Sequence, residues 1–376
     1  MKKLIIITLL FCIFFPLSVD AQNISHDSET FEAKVIKIIE EKEITRENGT
    51  TAIQQNIRLK GLSGNFEDKE FIYYGISDID VLSMTGSVFN PGDKVVVNSN
   101  KDLDGNDRFY IMDYVRRGHL YLLAFIFAVV IIAVGRKKGL RSLVSLVITF
   151  FVIIKFIVPQ IIMGNSPLVV ALLGSIAILV LIVYITEGFS RKTHIAFLSI
   201  VISLLITFIL SYVFVMLTKL TGFYSEEVSF IAGMSGINII DFRGLLLAAI
   251  MIGTLGVLDD VILGQIEAVN QIKKLNPDLS KKKMIKSASE IGRTHLGSMV
   301  NTLFLTYVGV SLPLLILFSV NQDVGVTFLS VLDNEFLATE IVRTLTGSIG
   351  LILAFPIATY LAVHLLVDKN RNRIKS

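Results

Sequence analysis

The chain has 376 residues, 53% of them hydrophobic and 18% charged, with a formal net charge of +3 and a mean hydropathy of +0.68. A soluble domain carries about a quarter charged residues, so this composition excludes an evenly patterned soluble protein. The single cysteine, Cys12, excludes an intramolecular disulfide and a thiolate metal site.

The start reads Met1-Lys2-Lys3, then an apolar run over 4–17 and Val19-Asp20-Ala21. A basic start, an apolar middle and small residues before a cut site predict a signal peptide over 1–21, cleaved after Ala21; the alternative is an uncleaved anchor. Cys12 lies inside the run behind bulky Phe11, which argues against a lipid-anchor cysteine. Either way the next segment is placed outside the cytoplasm.

Residues 22–115 predict a small β-rich extracytoplasmic domain. Alternating stretches at 31–44, 52–59, 70–74, 94–97 and 109–112 are bounded by turn formers such as Asn48-Gly49, Ser63-Gly64-Asn65 and Asn90-Pro91-Gly92-Asp93. Five short strands are compatible with a barrel or sandwich, an OB-like barrel being one candidate. Asp102-Leu103-Asp104-Gly105-Asn106-Asp107 has the flavour of a calcium loop, but its glycine is fourth rather than sixth; a hairpin turn is the expectation there.

Seven apolar runs follow over 119–367, at 119–134, 143–162, 168–186, 195–217, 244–265, 296–320 and 345–367. Each approaches the 20 or so helical residues that cross a hydrocarbon core, so the fold class expected is an all-α polytopic membrane bundle of about seven helices behind the β-rich domain. With that domain outside, the inner segments hold seventeen basic residues, among them Arg136, Lys138, Lys192, Lys282 and Arg373. The outer loops hold only Lys219, Arg243 and Arg343. This asymmetry fixes the orientation, with a basic cytoplasmic tail at 368–376. Apolar pieces at 228–240 and 324–337 are too short to span and are expected at the interface or as re-entrant segments. No internal repeat is apparent, so the usual mark of inverted-repeat transporters is missing.

Ionisable residues inside such runs are costly and are functional hypotheses by default. In the fifth run Gly253, Gly256, Asp260 and Gly264 fall on one helical stripe, with Asp259 turned 100° away and Gln265 just beyond. Glycines on a stripe allow another helix to approach closely, so Asp260 is expected in a helix contact or a cavity beside it. In the sixth run His295, Ser298, Thr302, Thr306 and Gly309 share an arc, with Thr294 and Asn301 at its margin and Arg293 opposite. The bland alternative is that Ser298, Asn301 and Thr302 only join helices. Both clusters sit at the same ends of neighbouring runs, so Asp259 or Asp260 is expected to meet Arg293 or His295. In the seventh run Gly347 and Gly350 line a packing stripe with Arg343, Ala354 and Ala358, and Pro356 predicts a kink. Lys155 is expected to snorkel, and Pro313 to break the sixth run. There is no Walker-type loop, paired-histidine helix or nucleophile elbow, and no cofactor, metal or nucleic acid is expected.

The run Gly256-Val257-Leu258-Asp259-Asp260-Val261, followed by Ile291-Gly292-Arg293-Thr294-His295-Leu296-Gly297-Ser298-Met299-Val300-Asn301-Thr302 and Tyr307-Val308-Gly309-Val310-Ser311-Leu312-Pro313, resembles the YibE/F-like family of bacterial multi-pass membrane proteins. The resemblance covers 119–367 and is clearest over 244–320. It implies a shared helix bundle and motif, and carries no substrate or mechanism. The functional expectation is a transporter or permease-like protein of the cell membrane, acting on a small solute or ion. The rival is a membrane scaffold or sensor whose β domain binds a partner. A homo-oligomer and a paired membrane subunit are both left open. An enzyme is not expected, because the adjacent aspartates point apart.

Overall fold

The computed structural model describes residues 29–45, 49, 51–76, 88–102, 105–234, 240–320 and 328–367. The expected signal peptide, the basic tail and the start of the apolar piece at 324–337 lie outside the described residues. Two compact units are present, one ending at Val130 and one beginning at Ile131.

The N-terminal unit is an antiparallel sheet of β1 (Glu29–Thr45), β2 (Thr51–Gly61), β3 (Glu70–Tyr74), β4 (Lys94–Lys101) and β5 (Asp107–Tyr114), in the order β3-β2-β1-β4-β5. All five strands are those read from the alternation, because period-two patterning has a core to fill. Phe31, Ala33 and Val35 on β1 are buried with Ile57 and Leu59 on β2 and Val95 and Val97 on β4. The two edge strands are drawn together by rings: Phe71 on β3 stacks on Phe109 of β5 at 4.1 Å, beside Phe31 and Phe66 stacked at 4.8 Å. Among the described residues no ladder joins β3 to β5, so the sheet is curled and open, and an OB-like barrel is a finer statement than these ladders make. Between β4 and β5 the Asp102 N–H donates to the Asn106 carbonyl at 2.9 Å, and Gly105, at φ +83°, donates its N–H to the Asp102 carbonyl at 3.0 Å.

Among the described residues ten helices follow: α1 (Arg117–Val152), α2 (Val158–Ile162), α3 (Pro167–Glu187), α4 (Arg191–Leu217), α5 (Glu226–Gly233), α6 (Phe242–Leu275), α7 (Lys281–Val310), α8 (Leu312–Val320), α9 (Phe328–Leu332) and α10 (Glu335–Val367). A π-helical turn over Ile153–Ile157 joins α1 to α2; Pro159 has no N–H for the Lys155 carbonyl, which makes the wider turn the natural one there. Among the described residues five stretches are long and apolar enough to cross a membrane: Arg117–Ile162, Pro167–Glu187, Arg191–Leu217, Phe242–Leu275 and Glu335–Leu366.

Seven runs read from sequence thus become five such stretches, for two reasons. The first two runs are one helical stretch, broken at Arg136 (φ 49°, ψ −128°). A side chain on Gly139 would overlap the Ile131 carbonyl, although residues eight apart in a straight helix are about 12 Å apart; the chain therefore bends sharply there. The sixth run is divided where α7 ends at Val310 and α8 begins at Leu312, just before Pro313. The helix that carries its first half, α7, is diluted by Arg293, His295 and Asn301. By contrast α10 continues through Pro356.

The helical core is formed by α3, α4, α6 and α10, with α7 laid against α6 and α10. Ile178, Ile200, Leu258, Ile262, Met284 and Ala358 are buried in one cluster. α4 contributes a seam of small polar residues four apart, Ser199, Ser203, Thr207 and Ser211, each at most 1% exposed. Hydroxyls suit this position because they can bond back to their own helix, as Thr207 does to the Ser203 carbonyl at 2.9 Å. Gly350 of α10 lies directly on Thr207, and Ser211 bonds Thr346 at 3.0 Å. This is the close approach that small residues permit between membrane helices.

Candidate functional site

α6 is placed by its two ends. Asp241 caps it by accepting from the Gly244 N–H at 3.0 Å, and Lys273 donates to the Leu366 carbonyl. Its buried side carries Leu255, Leu258, Ile262 and Ile266, so the stripe 180° away, Gly253, Gly256, Asp260 and Gly264, faces out of the chain and is exposed.

α7 is set by a second stripe. Met284, Ala288 and Gly292, four apart, are buried, and Gly292 lies against the Phe355 ring with no room for a side chain. Further along, Met299, Val300 and Leu303 face inward. That orientation turns Arg293, His295, Ser298, Asn301 and Thr302 outward, all exposed. Thr302 satisfies its hydroxyl on the Ser298 carbonyl at 2.9 Å.

The two helices diverge enough to leave a cavity of about 180 Å³ between them, lined by Asp260, Gly264, Gln265, His295, Met299 and Phe355. Asp260 and His295 therefore share one cavity. No hydrogen bond or ion pair joins either aspartate to Arg293 or His295 among the described residues, and Arg293 is not in the lining. Asp259 is half-buried and turned away. Gln265 is 4% exposed and fixed: its amide donates to the Ala288 carbonyl at 3.0 Å and to Thr359 Oγ1 at 2.7 Å, tying α6 to α7 and α10. Its two donors are thus satisfied, and its structural role is clear. Of the glycines expected to pack helices, Gly350 makes a tight contact. Side chains on Gly253 and Gly347 would meet Tyr307 at 3.3 Å and Thr254 at 3.6 Å, while Gly256 and Gly264 have nothing within 4 Å.

Gly264 also borders a second cavity of about 370 Å³, lined by Lys138, Glu187, Ser190, Lys192, Thr193 and Glu267. Its charges are paired, Lys138 with Glu187 at 3.3 Å and Lys192 with Glu267 at 2.6 Å. None of these residues was singled out as a site from sequence, because the pairs join positions 49 and 75 residues apart.

A third polar group lies at the other end of α10. Arg343 bonds Glu340 at 3.1 Å, both side chains about one-sixth exposed, with the guanidinium 5.1 Å from the Tyr224 ring. Arg343 Nε and Nη2, Glu340 Oε2 and Thr339 Oγ1 are buried without a partner. The sequence reading placed Arg343 in a loop because the apolar run begins at 345. The helix starts ten residues earlier, where Glu335 accepts from the Thr221 and Gly222 N–H groups at 2.6 and 3.0 Å.

The apolar helices that follow the β sheet in the chain, long enough to cross a hydrocarbon core, are those of a membrane protein. The family model for YibE/F-like proteins matches residues 123–368. The chain belongs to the YibE/F-like family. Neither the curated proteins nor the solved structures gave a match.

Proposed function

We propose that the chain is a transporter or permease-like protein of the cell membrane, whose solute or ion path passes Asp260 and His295. The observation that carries this reading is their shared cavity between α6 and α7. A carboxylate in a membrane helix costs about 2.5–3.5 kcal/mol even on the lenient insertion scale, so an unpaired one needs water or a ligand. The His295 imidazole, facing the same space, adds a ring that can both donate and accept a hydrogen bond. Gly264, with no side chain, separates this cavity from the charged one around Lys192 and Glu267, which offers a hydrated approach.

In this reading the bend at Arg136 makes two spans of α1, and α7 with α8 makes another, giving seven. The basic residues at 136–141, 191–194, 273–293 and 368–376 then face the cytoplasm and the β domain lies outside. The test is Asp260→Asn in proteoliposomes with a trapped pH-sensitive dye, alongside a panel of labelled solutes. Flux lost at unchanged abundance supports the reading. Lost abundance with flux per molecule preserved makes the carboxylate structural.

A second reading, a scaffold or sensor acting through the β domain, draws on one feature. Beyond the sheet core, β1 and β2 pair as a ribbon from Glu40–Asn56 to Thr45–Thr51. Exposed Ile53 lies on it, at 39%, and exposed Ile39 at its base, at 47%. Deleting residues 22–115 separates the readings: flux survives under the first, and all function is lost under the second.

A further inference from the structure

α6 and α7 turn one continuous face out of the chain: Gly253, Gly256, Asp260 and Gly264 on the first, and His295, Gly297, Ser298, Asn301, Thr302 and Gly309 on the second, all exposed. Lipid suits the exposed Phe304 and Leu305 of α7, but not the polar and glycine positions around them, for two independent reasons. Asp260, His295 and Asn301 make no hydrogen bond or ion pair among the described residues, and hydrocarbon would offer them none. The glycines also lack a purpose within the chain. Gly174, Gly292 and Gly350 each lie against a neighbouring side chain, whereas Gly256, Gly264, Gly297 and Gly309 have nothing within 4 Å. A glycine inside a helix costs about 1 kcal/mol relative to alanine, and what repays it in membrane helices is the close approach of another backbone. A small solute would satisfy the polar groups but needs no glycine stripe along the eleven steps from Gly253 to Gly264, about 17 Å of helix.

We propose that this face is the interface between two copies of the chain, related by a two-fold axis. The face is self-complementary, as an isologous contact requires. It carries a carboxylate at Asp260, a basic imidazole at His295, and side chains that both donate and accept at Ser298 and Asn301. Asp260 of each copy meets His295 of the other, and the glycine stripes let the helices touch. The second copy thus walls the outer side of the cavity between α6 and α7 and gives its carboxylate a hydrogen-bond partner, leaving the approach past Gly264 to water. The proposal does not depend on transport, since an anchoring protein would pair in the same way.

The test uses full-length protein in its native membrane, in a Cys12→Ser background. Single cysteines replace Gly256, Ser298 or Thr302 on the face, and Ile209, 59% exposed on α4, as a control away from it. Mild oxidation with copper phenanthroline is expected to give a product of twice the monomer mass from the face positions and none from Ile209→Cys. Adding Gly256→Leu to Thr302→Cys, where the single chain has space for the side chain, is expected to lower cross-linking per molecule by about tenfold, equivalent to 1.4 kcal/mol. Absence of any product, equal product from Ile209→Cys, a product of another mass, or indifference to Gly256→Leu each overturns the proposal.

Discussion

Gly292→Ala is the perturbation that most sharply tests the helix packing. A side chain there falls inside the Phe355 ring, and Phe355 is itself 8% exposed and wedged against Val261 and Leu351. Forcing extra volume into a packed core costs about 1–3 kcal/mol, while alanine recovers about 1 kcal/mol of helix propensity. The upper half of that range leaves a net loss of roughly 1–2 kcal/mol, and at about 2–4 °C per kcal/mol for a body of this size the apparent melting point falls by several degrees. The assay is the fraction of detergent-purified protein remaining monodisperse after heating at a fixed rate, since membrane proteins of this size unfold irreversibly. Phe355→Leu should reverse much of the effect, because the two sites are in contact and so are non-additive. If Gly292→Ala melts at or above the parent temperature, or Phe355→Leu adds its own full cost, α7 does not sit against α10 as described.

Reporters active only in the cytoplasm should work when fused after Lys138, Lys192, Lys282 or Arg373 and fail after Glu227 or Asn334; one inverted result removes the seven-span arrangement, because every later span would change sides. Arg343→Met leaves Glu340 buried without its cation and should cost about 3–5 kcal/mol, whereas Glu340→Leu with Arg343→Met should recover most of it, as replaced buried pairs do. Equal stability of the single and double variants, measured by the same heating assay, would show that the pair is not buried in the membrane.

Local patterning made much of the structure legible in the sequence. Alternation located all five strands, since Phe31, Ala33 and Val35 must point one way to be buried, and the glycine of the acidic turn sits where a hairpin needs φ above zero. Helical spacing likewise put Asp260 and His295 on faces that could meet. What could not be read was which face each helix gives to its own chain. The stripe Gly253, Gly256, Asp260 and Gly264 looked like a packing surface, yet the contacts that orient α6 come from Leu258, Ile262 and Gln265 on the other side. The seam Ser199, Ser203, Thr207 and Ser211 has a visible four-residue spacing, but its partner, Gly350, is far away in sequence. Hydropathy also missed the start of α10, because its first turns are polar: Glu335, Glu340 and Arg343 are held by contacts and not by apolar character.

The account turns on whether water reaches Asp260. In a Cys12→Ser background, Asp260→Cys should react with a membrane-impermeant maleimide applied from the cytoplasmic side, because a thiol reacts as its thiolate and the thiolate forms only where water does. Labelling from that side, at a rate well above that of the exposed apolar position Ile209→Cys, is the predicted result. A cysteine at 260 that reacts only with a lipid-soluble maleimide, at the rate of Ile209→Cys, would contradict it.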